Sequence, residues 1–288
     1  MKFESAVLPF ADQPALGAYL KRSNVRVMAN DPMQSAWMRC FAEITNNGER
    51  LSDDEVNLVL EDAYVPGYRH QNAALSNWFA EIDAWWFDNV RRNIDGLQSQ
   101  MSRSIALSIA LAVGDYVLSF KEDTRELRQP LSTVYRRLWS IRPEAFNNGE
   151  TNGCFNKNAD DFISETPSDL MFLRLPAAHA QNTRGYLGNV AWREEWLRGG
   201  SDFWDDFDAS MAGKLGAATE TKSQYLHLLD ATLRKASHIK NWAVAHVESG
   251  FIQTQDIVDA ISEVRRVDCI YTKDFSELTG AKAVIITA

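Results

Sequence analysis

The chain reads as an α/β protein, a parallel sheet interrupted by a helical insertion. Three observations predict this. Ser5–Met33 has the order strand, turn, helix, strand, helix start. Leu51 to Phe146 carries only helical patterns. From Cys154 to the C-terminus, short apolar runs alternate with helical stretches.

Ala6–Phe10 is a short apolar run and predicts a buried strand. Ala15–Lys21 has apolar residues at helical spacing, and Val25–Ala29 is a second strand. Two strands joined by one helix over so few residues should be parallel. Asp31 and Pro32 predict the N-cap and first position of a helix running to about Thr45, stopped by Asn46-Asn47-Gly48. Ser52-Asp53-Asp54-Glu55 is a capping box, with its helix reaching about Tyr64 and a turn at Pro66-Gly67. One long helix is expected over Asn72–Leu97, through Leu75, Trp78, Phe79, Ile82, Trp85, Trp86, Val90 and Ile94. Ser102–Lys121 is apolar nearly all round and should be buried. Pro130 opens a further helix to about Ile141.

After the loop 147–153, strands are expected at Cys154–Lys157, Asp169–Leu175, Trp242–Val247, Val267–Tyr271 and Ala283–Thr287. Helices are expected near 160–164, 190–197, 203–211, 220–236 and 254–264. The organisation is therefore an α/β unit formed by 1–50 and 147–288, with a helical subdomain at 51–146 returning to the same sheet.

With 288 residues, 45% hydrophobic and 24% charged, the chain has the composition of a globular protein with a large core. Cys40, Cys154 and Cys269 form no CxxC pair, which suits a reducing compartment. Met1–Ser5 lacks the start of a signal peptide. Ile105–Phe120 is the most apolar long segment, but Gly114 and Asp115 interrupt it, so a buried helix is expected rather than a membrane span. The expected location is cytoplasmic, with no membrane partner. The formal net charge of −9 argues against strong general affinity for nucleic acid and leaves room for a local basic face. The most basic stretch is Lys121–Arg142, with Arg125, Arg128, Arg136 and Arg137.

Several motifs resemble the D12 class of adenine-specific DNA methyltransferases, which transfer a methyl group from S-adenosylmethionine. Pro9-Phe10-Ala11, Leu16-Gly17 and Tyr19-Leu20-Lys21 are similar to that family's cofactor motif DPFxGxGxxGxxxK. Val27-Met28-Ala29-Asn30-Asp31 is similar to its V-x-A-N-D. Glu43–Gly48 resembles the helix exit that follows, Trp86–Asp95 the helical insertion, Asn156–Ile163 the N-x-D-A segment, and Trp242–Gly250 the later strand and turn. The resemblance implies a Rossmann-like methyltransferase sheet with a helical insertion. It places Phe10, Ala11, Asp12, Asp31 and Asn158 at the cofactor, Asp31 on the ribose. It puts the catalytic motif at Arg174-Leu175-Pro176-Ala177, and the insertion, with its arginines, against DNA. The family also carries a Gly-Lys element ahead of the first strand, which an upstream partner chain could supply.

The chemistry departs from the family where it matters most. The family has DPPY at the end of strand four, where the Asp side chain and a backbone carbonyl accept from the target amine and the Tyr stacks on the flipped base. Arg174 has only donors and a fixed positive charge, which would repel a sulfonium, and Ala177 has no stacking face. Asp12 and Pro14 stand where the family has glycines. Proline removes an N–H, and Asp12 would repel a carboxylate. Leu8 and Val247 replace an acid and an asparagine, and Asn158 stands where an acid would help hold the cofactor's adenine. Asp31 is the one residue left in cofactor position, and helix capping accounts for it equally.

The expected function is that of a degenerate adenine DNA methyltransferase-like protein without transferase activity, a scaffold associated with DNA or with a partner protein such as an active methyltransferase subunit. An active S-adenosylmethionine-dependent adenine N6-methyltransferase and a protein-interaction module unrelated to DNA are the alternatives. No metal site is expected: His227 and His238 lack a companion carboxylate, and Asp202, Asp205, Asp206 and Asp208 lack the spacing of a calcium loop. Arg184 and Arg193 would form a basic rim beside Arg174.

Overall fold

A computed structural model describes residues 2–62, 71–248, 251–275 and 282–288. The turn at Pro66-Gly67 and Ser249-Gly250 lie outside the described residues, whereas the helix expected to reach about Tyr64 ends earlier, at Val59. The chain forms an α/β structure with a mixed seven-stranded sheet. Its first half runs β1 (Ser5–Leu8), α1 (Ala15–Arg22), β2 (Arg26–Asn30), α2 (Gln34–Cys40), α3 (Asp53–Val59), α4 (Glu81–Asp95), α5 (Gln100–Leu118) and α6 (Leu131–Ser140). The second half runs β3 (Gly153–Phe155), α7 (Ala159–Glu165), β4 (Leu170–Arg174), α8 (Thr183–Leu187), α9 (Trp192–Arg198), α10 (Trp204–Met211), α11 (Lys222–Lys235), β5 (Asn241–Val247), α12 (Thr254–Ser262), β6 (Cys269–Asp274) and β7 (Lys282–Thr287).

The strand order is β3-β2-β1-β4-β5-β7-β6. Strands β1 to β5 pair in parallel, and β7 is antiparallel to both β5 and β6. The order reverses between β1 and β4, compatible with a Rossmann-like fold, and such sheets bind ligands outside the carboxyl ends of the strands at that point. The central strands are apolar on both faces because helices cover both sides. Val7, Met171, Leu173, Trp242 and Val244 face α7, α11 and α12, while Ala6, Leu8, Val27 and Leu170 pack with Cys40 and Ile44 on the other side. Asp169 pins the sheet's entry, accepting from the N–H groups of Glu4 and Ser5 at 3.0 Å each. On the exposed edge strand β6, Lys273 and Asp274 discourage pairing with another chain.

The helical layer has its own core around α4 and α5. It takes in Trp192, Trp196 and Leu197 of α9, so a helix from the second half completes it. Among the described residues α5 is the helix long and apolar enough to cross a membrane, and 67% of its apolar window is buried inside the protein. Gly114 of α5 lets the two helices meet: a Cβ there would overlap the Trp192 ring, and Trp192 is fully buried. Gly114→Ala is expected to cost about 1–3 kcal/mol through overpacking, measured by urea denaturation, and an unchanged midpoint would refute this contact.

Two expected helix boundaries are corrected. The segment 72–97 is not one helix: a 3₁₀ stretch at Ala73–Asn77 precedes α4, and the chain is extended at Ala80. Tertiary bonding breaks it there. Asn72 donates to the Glu195 carbonyl at 2.8 Å, and its own N–H donates to Asp88 at 3.3 Å. Pro32 is not the first residue of its helix, since α2 begins at Gln34 and continues into a π-helical turn at Phe41–Thr45.

Candidate functional site

The carboxyl ends of β1, β2, β4 and β5 open into a cavity of about 810 Å³, within the range of small-molecule sites. Phe10, Ala11, Asp12, Asp31 and Arg174–Ala177 all line it, together with Leu8, Phe172, Tyr225, His246 and Ile252. The fold therefore joins two stretches more than 140 residues apart in sequence that the family resemblance had singled out.

Asn30 organises the floor. Its amide donates to the carbonyls of Pro9 and Lys157, both at 3.0 Å, and its Oδ1 accepts from the Lys157 N–H at 3.0 Å. One buried side chain thus ties together the loops after β1, β2 and β3. Asp31 follows it and is 5% exposed. Its Oδ2 accepts from the Asp12 N–H and its Oδ1 from the Met33 N–H, both at 2.9 Å. Asp31 is therefore not the N-cap of α2. Glu194 of α9 takes that role, accepting from the N–H groups of Gln34 at 3.0 Å and Ser35 at 2.7 Å. Burial raises the Asp31 carboxyl to about 7, against its two N–H donors, with the charges of Asp12 and Glu194 pushing the same way.

The β1–α1 loop keeps the backbone of a glycine turn without the glycine. Asp12 sits at φ +50°, in the left-handed region that costs a side chain energy, although Asp tolerates it better than most. Its carboxylate forms an ion pair with Arg174 at the end of β4. Both side chains are about half exposed, so the pair contributes little to stability. Tyr225 donates from its hydroxyl to the Pro176 carbonyl at 2.8 Å and occupies that acceptor.

Other expected positions fall elsewhere. Asn158 is corrected: it does not line the cavity but caps α7, accepting from the Asp161 N–H at 3.0 Å. The strand before it, β3, is only three residues long, and Asn156 and Lys157 rather than Asn158 are the residues that bond to Asp31 and Asn30 at the end of β2. Lys21 is also outside the cleft, buried at the far end of α1 and donating to the Asn46 carbonyl at 2.6 Å. Of the four insertion arginines, Arg128 is half-buried and paired with Asp83 at 2.9 Å, with Arg125 3.8 Å from the same carboxylate. Arg136 donates to Asn57 at 2.8 Å, and Arg137 is exposed. Arg184 is drawn inward to Glu195 rather than to the cavity, whereas Arg193 lines it.

His246 is a cavity residue that pattern reasoning missed. It is 7% exposed, its Nε2 has no hydrogen-bond partner, and burial holds its pKa below the usual value, keeping the ring neutral. A single histidine in an apolar strand gives no periodic signal. Glu194 and Arg39 were missed as well: Glu194 is one of four charges on α9 with nothing local to set it apart, and Arg39 is a lone charge on α2.

Fold and site together define an α/β protein with a ligand-sized cleft at the switch point of its sheet. Comparison with family models, curated proteins and solved structures finds no significant match.

Proposed function

We propose that the chain is a catalytically inactive relative of the D12 adenine-specific DNA methyltransferases, in which the old reaction cleft serves for binding and the protein acts as a scaffold associated with DNA. One observation carries the reading: Arg174 reaches across the cleft to Asp12. In the family these two positions would flank the methyl donor and the target amine. The strand order supports the methyltransferase-like sheet that the resemblance implies.

The residues do not fit methyl transfer from S-adenosylmethionine. A fixed guanidinium opposes a sulfonium, no side-chain carboxylate stands at the end of β4, and both Asp31 oxygens already accept backbone N–H groups. Positioning and electrostatics are the main sources of such catalysis, and both are altered. On the DNA side, the pairing of Arg125 and Arg128 with Asp83 narrows the contact to Arg136 and Arg137.

The test combines two measurements. Incubation with labelled S-adenosylmethionine and mixed-sequence duplex DNA should give no N6-methyladenine above a no-protein control; clear incorporation would refute the inactive reading. Anisotropy titration of the same DNA should show salt-dependent binding. The R136Q/R137Q double variant should weaken it and lower the salt slope by about 2. If the native chain shows no DNA binding, the scaffold's partner is a protein.

A further inference from the structure

Arg39 stands where the cleft meets a second groove of about 480 Å³, and it lines both, as do Gln13 and Arg193. The two guanidiniums are treated differently by their surroundings. Arg193 is neutralised by Asp115, to which it donates at 2.9 and 2.7 Å. Arg39 donates only to neutral oxygens, Ser35 carbonyl and Gln13 Oε1, each at a long 3.3 Å. Among the described residues it has no ion pair. The nearby carboxylates are engaged elsewhere, Asp12 with Arg174, Asp115 with Arg193, and Glu43 with Arg142 at 3.7 Å.

Desolvation and the like charge of Arg193 both work against the Arg39 guanidinium and hold its pKa below the usual value. Asp12 and Asp115 offset this in part from a distance, and arginine keeps its proton in proteins, so the charge persists without a direct partner. Cations drawn out of water are ordinarily paired. The start of α1 faces the same region: Pro14 offers no side-chain cap, and Ala15 and Leu16 line the cleft, adding the partial positive charge of free N–H groups.

We propose that Arg39 is the anion-holding residue of this cleft. It takes the phosphate or carboxylate of a small ligand whose body lies along Leu8, Phe10 and Phe172. A planar guanidinium suits either group, because both accept two parallel N–H donors. Arg193, already paired, reinforces the field without being the contact.

The test is a cycle of four ligands against the full-length chain and its Arg39→Gln variant, by calorimetry. AMP is compared with adenosine, which lacks the phosphate, and S-adenosylhomocysteine with 5′-methylthioadenosine, which lacks the whole zwitterionic amino-acid end that carries the carboxylate. The member bearing the phosphate or carboxylate should bind the native chain about 10- to 100-fold more tightly, as for a charge-assisted hydrogen bond. R39Q should abolish the preference. A preference within the first pair identifies a phosphate ligand, one within the second an amino-acid carboxylate. Equal binding within both pairs, or a preference that survives in R39Q, overturns the assignment even if the uncharged nucleosides bind.

The nucleoside body of these probes rests on the methyltransferase-like reading, whereas the anion site does not. The Arg39 Nε resonance is therefore also followed during titration with inorganic phosphate and with acetate. A saturable shift supports the anion site whether or not any nucleoside binds, and it covers the case of an unfolded variant. No shift with either anion, together with no binding of the four ligands, overturns it.

Discussion

Replacing Glu195 by alanine should destabilise the protein by about 3–5 kcal/mol, the range for breaking a buried, hydrogen-bonded charge network. The carboxylate is completely buried. It accepts from the indole N–H of Trp78 at 2.6 Å, the indole N–H of Trp204 at 2.9 Å, and Arg184 Nε at 2.7 Å. Alanine leaves two indole donors without an acceptor and opens a space beside Trp196. Donors left unsatisfied cost more than the bonds were worth, because water cannot replace the carboxylate there. Glutamine keeps the shape but brings an NH₂ among donors, so an intermediate loss of about 1–3 kcal/mol is expected. Urea denaturation of the two variants beside the native chain measures both. A Glu195→Ala loss under 1 kcal/mol would show that the network does not hold α9 in place. The neighbouring Glu194 gives that position its importance, since it caps α2 beside the cleft.

The second large effect is a pH dependence centred on Asp31. Its folded carboxyl titrates at about 7 against an ordinary 3.8. Between those values the folded chain holds a proton that the unfolded chain has released. The stabilisation from the neutral form is thus complete below about 4 and is lost as pH rises through about 7. The span corresponds to roughly 4 kcal/mol as an upper bound. Asp31→Asn removes this slope. The variant has one good acceptor for two N–H groups, so at pH 4.5 it should be less stable than the native chain by about 1–3 kcal/mol. The deficit should shrink, and the order may be tested for reversal, by pH 8. Denaturation midpoints across that range, native minus variant, cancel the other carboxylates. Parallel curves would mean that the two N–H donors hold Asp31 ionised despite its burial.

Much of the fold was legible because its signals are local. Each central strand is built on a short apolar run, since helices bury both faces, and such runs need no partner to be recognised. The capping box at Ser52 was readable from four residues and is present, with Ser52 N–H donating to Glu55 at 2.8 Å. The break before α4 was not, because Asn72 is held by Glu195 and Asp88, and nothing in the local spacing of Leu75, Trp78 and Phe79 announces those bonds.

The site divides the same way. Comparison with the family motifs marked Asp12, Asp31 and Arg174–Ala177, because those motifs call for glycines in the loop and an acceptor at the strand end. Their meeting in one cleft followed from the order of strands. What the tertiary structure decided was pairing. Arg174 answers Asp12, Arg128 answers Asp83, Arg193 answers Asp115, and Arg39 has no ion pair among the described residues. Asn158 was misassigned because capping and ligand binding draw on the same side-chain oxygen, and only the direction of a three-residue strand separates them. The sequence by itself determined which segments form the sheet and which side chains stand at its carboxyl edge, since both are properties of neighbouring residues. Which charges are neutralised, and which remains open to a ligand, depends on distances between segments far apart along the chain, and folding alone sets those.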